Sequence, residues 1–73
     1  MIAFLLIEVS MGIEKQVLNE IKKIEGVTDA AVTYGGWDIV VRIESEDPKK
    51  IDAAITKVRS IPGIIQSVTL VAV

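Results

Sequence analysis

Two kinds of apolar spacing alternate along the chain. From Ile2 to Val9 the run is almost unbroken, with Glu8 its one charged residue. It is rich in β-branched and aromatic side chains and too short for a helix of usual length, which predicts a strand. From Ile13 the spacing widens to Ile13, Val17, Leu18, Ile21 and Ile24, with Glu14, Lys15, Gln16, Asn19, Glu20, Lys22 and Lys23 between them. Steps of three and four make one apolar stripe on an amphipathic helix, and Gly26 is the expected C-cap. Val27 to Thr33 predicts a second strand, and Ile39, Val41 and Ile43 alternate with Val40, Arg42 and Glu44 in a third. Gly35-Gly36, between these strands, predicts a two-residue hairpin turn of type I′ or II′. Asp47-Pro48 supplies an N-cap and a proline at the first helical position. The helix that follows carries the stripe Ile51, Ala54, Ile55, Val58 and Ile61 and must end before Pro62. Gly63 turns the chain, and Ile64 to Val73 predicts the last strand.

The two halves repeat. A slide of 37 positions, the separation of Gly26 and Gly63, brings Val17 onto Ala54, Leu18 onto Ile55, Ile21 onto Val58 and Ile24 onto Ile61. Two β-α-β units joined by a hairpin predict a single α+β domain over residues 1–73. Its expected form is a ferredoxin-like βαββαβ sandwich, with a four-stranded antiparallel sheet and both helices on one face. The same slide places Ile2, Phe4 and Leu6 with Ile39, Val41 and Ile43 on the helix-covered side. Ala3, Leu5, Ile7, Val9 and Val40 are then expected on the open side as a dimer interface, because an uncovered apolar sheet face usually marks an association surface.

Length sharpens that expectation: a chain of 73 residues buries only about 60% of the surface its unfolded form exposes, so help from a partner is expected. The chain has no Cys and no His, which removes disulfides, thiolate nucleophiles, histidine bases and the usual zinc and haem ligands. Eight basic against ten acidic residues give a net charge of −2 with no basic block, so direct binding of nucleic acid is not expected. The first apolar run is too short for a membrane span and lacks the flanks of a signal peptide, so a cytoplasmic location is expected and no membrane partner.

Catalytic candidates are few. Glu44, Glu46 and Asp47 cluster at the start of the second predicted helix, where an acid/base pair or a weak Mg²⁺ or Ca²⁺ site competes with simple complementarity to the helix dipole. Ser10, Ser45, Ser60 and Ser67 have no histidine to activate them. No enzyme activity, cofactor or metal is therefore expected. The hairpin offers more. Gly35 and Gly36 leave backbone N–H groups open to a carboxylate, Asp38 suits an ammonium group, and Trp37 or Tyr34 supplies an apolar wall. Together they match the two charged ends of a free amino acid. The plainer account keeps Gly-Gly as a turn, Asp38 as a solvated carboxylate and Trp37 as packing.

The order Lys-Ile-Glu-Gly-Val, Tyr-Gly-Gly-Trp-Asp-Ile-Val-Val-Arg-Ile and Ile-Pro-Gly-Ile-Ile-Gln-Ser-Val-Thr-Leu resembles the effector-binding (RAM) domain of the Lrp/AsnC transcriptional regulators over essentially the whole chain. The resemblance rests on Gly35, Trp37 and Asp38 before an apolar strand, and on Pro62 and Gly63 followed by Ser67 and Thr69. It implies the ferredoxin-like fold, dimers joined through their sheets, rings of octamer or decamer size, and amino-acid effectors held between dimers. Carried across by position, the implied ligand contacts are Gly35, Gly36, Trp37 and Asp38, with Ser67 and Thr69 from the last strand. Full-length members precede this domain with a helix-turn-helix, whereas the sequence here opens at the first strand. It resembles the stand-alone members, expected to sense amino acids or related metabolites and to act through full-length Lrp/AsnC-type regulators. The alternative is a ligand-free oligomerisation scaffold or interaction protein.

Overall fold

Eight consecutive residues of extended, mostly apolar chain give β1 (Ile2–Val9), the strand around which the sheet is assembled. The computed structural model describes residues 1–73. After β1 come α1 (Glu14–Lys22), β2 (Val27–Val32), β3 (Ile39–Glu44), α2 (Pro48–Arg59) and β4 (Ile64–Ala72). All strand pairings are antiparallel and the order across the sheet is β2-β3-β1-β4. Two β-α-β units with their first strands in the middle and both helices on one side make the α+β, ferredoxin-like βαββαβ fold predicted from the repeat.

The helix stripes behave as the spacing predicts. Val17 and Ile21 of α1, and Ile51, Ala54 and Val58 of α2, are buried, while Ile13, Leu18, Ile24, Ile55 and Ile61 pack partly against them. Asp47 caps α2 by accepting the Lys49 N–H at 2.9 Å, with Pro48 at the first helical position.

Three expectations need correction. The face of β1 is inverted: Ala3, Leu5, Ile7 and Val9 lie in the core beneath the helices, and Ile2, Phe4 and Leu6 lie on the open side. The ladder sets Ala3 opposite Ile43, Leu5 opposite Val41 and Ile7 opposite Ile39, so Ile39, Val41 and Ile43 face the helices as expected and Val40 is on the open side. The cause is a mismatch between the repeats. Val9 to Val17 in the first unit is shorter by an odd number of residues than Ile43 to Ala54 in the second. A slide that aligns the helices therefore shifts the strands by an odd step, and an odd step exchanges the two sheet faces.

The hairpin is also longer than expected. The ladder closes at Val32 opposite Ile39, and the Thr33 N–H donates to the Asp38 carbonyl at 2.8 Å across a loop of residues 34–37. Only Gly35 in this loop has positive φ, at 108°, where a two-residue type I′ turn would need two such residues. Finally, Gly26 does not cap α1, which ends at Lys22 with Lys23 as its cap. It sits three residues later in a turn that repeats after α2. Val27 N–H donates to Ile24 O and Ile64 N–H to Ile61 O, with Gly26 and Gly63 both at φ 99°. Here the internal repeat holds at the level of single hydrogen bonds.

Candidate functional site

The antiparallel topology brings three connections to one end of the sheet: the β1–α1 loop, the β2–β3 hairpin and the α2–β4 turn. All lie where β1 ends, and two backbone bonds tie them to it. Ser10 N–H donates to Gly63 O at 2.9 Å, and Asp38 N–H donates to Ile7 O at 2.9 Å.

Asp38 has a structural duty that the sequence does not disclose. Its Oδ2 accepts the Val9 N–H at 2.9 Å, extending the β1–β3 pairing past the last ladder residue of β3. Its own carbonyl closes the hairpin through Thr33, whose hydroxyl also donates to the Trp37 carbonyl at 2.8 Å. The base of the loop is thereby fixed by two backbone and two side-chain bonds. The tip is different: Gly35, Gly36 and Tyr34 are exposed, and a Cβ built on either glycine would meet nothing within 4 Å. Trp37 is half-buried.

Ser67 and Thr69 stand on β4, on the other side of β1 from the hairpin, opposite Ile7 and Leu5. Both share the helix-facing side with those residues. Asp38 and Ser67 thus flank the end of β1 from its two neighbouring strands, about 5 Å to each side of it. Thr69 lies further from the loops, and its Oγ1 is buried without a hydrogen-bond partner. The structure therefore collects Trp37, Asp38 and Ser67 at one end of the sheet, with Thr69 deeper and the glycine tip projecting beyond.

The sequence did not single out the groove beside this end. A cavity of about 470 Å³ lies between the first half of α1 and the α2–β4 turn, lined by Ile13, Gln16, Val17, Glu20, Ile61, Pro62 and Gly63. Its signal was present in the coincidence of Ile13 and Gly63. A Cβ at Gly63 would meet the Ile13 Cδ1 and push the end of that side chain aside, so the turn sits directly against Ile13. No group of three or more carboxylates is arranged to hold a metal ion, and no helix is long and apolar enough to cross a membrane.

The ferredoxin-like fold hosts many unrelated functions, and comparison with known proteins specifies the class of this one as a ligand-binding domain of transcriptional regulators. The family model for the Lrp/AsnC ligand binding domain matches residues 2–73, and the chain belongs to that family. It is 30% identical over 71 residues to the HTH-type transcriptional regulator FL11 of Pyrococcus abyssi, covering 97% of this chain and 47% of that one. It is 34% identical over 60 residues to an uncharacterised HTH-type regulator of Pyrococcus furiosus, covering 81% and 40%. The chain thus spans about half the length of the curated relatives it matches. Among solved structures, the hypothetical protein PHS023 of Pyrococcus horikoshii superposes with a TM-score of 0.89 at 33% identity, over 99% of this chain and 88% of that one. The family is one of transcriptional regulators, not of enzymes.

Proposed function

We propose that this domain is a self-assembling regulatory module. It binds a free amino acid or a similar small metabolite between dimers and modulates transcription by associating with full-length Lrp/AsnC-type regulators. One observation on this chain carries the ligand reading beyond family membership. It is the pairing, at one end of the sheet, of a carboxylate fixed by Val9 with the exposed glycine backbone of the hairpin tip. Asp38 gives one carboxylate oxygen to Val9 and keeps Oδ1 for an ammonium group, while the exposed Gly35-Gly36 backbone suits a carboxylate. A transcriptional regulator from Neisseria meningitidis with this fold, 12% identical and at a TM-score of 0.76, was solved as a complex with L-Met. For that protein, at least, the fold and an amino acid occur together.

In the proposed dimer the open sheet face is the contact surface. Phe4 lies opposite Leu70 and Leu6 opposite Val68 there, beside Val40 of β3. A ligand touched by two dimers binds the assembled form better than the separated one and shifts assembly by that difference alone. The test is calorimetric titration of an amino acid that stabilises the protein against the unaltered chain and Asp38→Asn. The amide keeps an acceptor for Val9 N–H but removes the charge, so affinity is expected to fall at least tenfold with the fold intact. Unchanged affinity would remove Asp38 from the site.

A further inference from the structure

No packing holds the hairpin tip. Tyr34 is fully exposed, and a Cβ built on Gly35 or Gly36 would meet nothing within 4 Å. Glycine also leaves the backbone there the widest choice of conformations of any residue. The order of the tip is therefore set through the base of the loop, where one peptide unit is held at both of its polar ends. The Trp37 carbonyl accepts the Thr33 hydroxyl at 2.8 Å, and the N–H across the same peptide bond, that of Asp38, donates to Ile7 O at 2.9 Å. A planar peptide held by both its C=O and its N–H cannot rotate freely, so the directions in which the chain leaves Trp37 and enters Asp38 are set together. Within residues 33–38 this bond to the Trp37 carbonyl is the one hydrogen bond contributed by a side chain.

We infer that Thr33 is the positioning residue of the ligand loop. Its hydroxyl latches the Trp37–Asp38 peptide, and through that peptide it holds the free Asp38 Oδ1 and the Gly35-Gly36 N–H groups in one relative arrangement before a ligand arrives. Thr33 acts only through its neighbours, because its hydroxyl proton is committed to Trp37 O. A loop ordered in advance spares the ligand the conformational entropy of ordering it, and that saving is read as affinity. Threonine suits the position twice. Its β-branched side chain favours the extended backbone at the end of β2, and its short hydroxyl reaches a nearby carbonyl. The inference rests on the reading of the hairpin as an amino-acid site and names what keeps that site in shape.

Two substitutions separate the hydroxyl from the shape of the side chain: Thr33→Val keeps the branching and removes the hydroxyl, and Thr33→Ser keeps the hydroxyl. Without ligand, amide hydrogen exchange is read residue by residue by NMR. Thr33→Val is expected to speed exchange at the Asp38 and Val9 N–H groups several-fold, up to about tenfold, the effect of one net hydrogen bond. Amides in the middle of the β1–β3 ladder are expected to keep their rates, and Thr33→Ser to restore those at Asp38 and Val9. A general loss of stability would instead raise all of them together. Calorimetric titration with each of the twenty amino acids then reads binding. One that binds the unaltered chain is expected to bind Thr33→Val more weakly by a similar factor and Thr33→Ser as before. Unchanged exchange at Asp38 and Val9 in Thr33→Val, or no recovery in Thr33→Ser, overturns the latch. Equal affinity for the unaltered chain and Thr33→Val overturns its part in binding. If no amino acid binds the unaltered chain while exchange responds as expected, the amino-acid reading falls and the latch stands.

Discussion

Asp38 and Gly63 are the two residues whose local chemistry decides the most. Asp38 joins hairpin to central strand, so removing its side chain leaves Val9 N–H without a partner. Asp38→Ala should lower stability by about 1–3 kcal/mol, measured by urea denaturation, while Asp38→Asn should lose much less. Equal losses would mean that the bond to Val9 contributes nothing. At Gly63, φ of 99° strains any residue with a Cβ, and the end of the Ile13 side chain would have to shift to admit one. Gly63→Ala should therefore destabilise by more than about 1 kcal/mol, and the double variant Gly63→Ala with Ile13→Val should recover part of that. At Gly35, with similar φ but open space around it, alanine should cost less. The sequence made Asp38 visible as a carboxylate beside a turn. It did not disclose that one oxygen is already engaged, because the Val9 partner is distant in sequence and comes close only through the β1–β3 register.

At the scale of elements, the periodicities of three and four located both helices, and Asp47-Pro48 marked the start of α2 to the residue. The strand spans followed as closely, yet the faces of β1 did not, because both of its faces are apolar and the parity had to be borrowed from the repeat. A local clue pointed the other way. Glu8 shares a face with Phe4 and Leu6, as Arg42 and Glu44 share one with Val40, and a charged side chain belongs on the side away from the helices. The corrected parity makes a sharp prediction. Leu5→Glu buries a charge in the core and should leave the chain unfolded by circular dichroism. Phe4→Glu should keep the helices and the sheet but reduce the mass in light scattering to that of a single chain. If Leu5→Glu folds normally, the face assignment is wrong; if Phe4→Glu leaves the mass unchanged, the open face is not where copies meet.

For the molecule as a whole, two features are left unsatisfied within one chain. They are the half-exposed apolar sheet face and the Thr69 hydroxyl, buried on the helix-facing side without a partner. A chain of this size buries a limited share of its surface alone, and in the proposed dimer the apolar face would be covered by a second copy. The most direct test is a thermal-shift screen of the protein against the twenty amino acids, with the mass in solution followed for each one that stabilises. The account predicts that a small, chemically related set stabilises the fold, by about 2.7 kcal/mol at a concentration near 100 times Kd, and changes the mass at the same time. No stabilisation by any amino acid at millimolar concentration would contradict it and leave a scaffold built from the same surfaces.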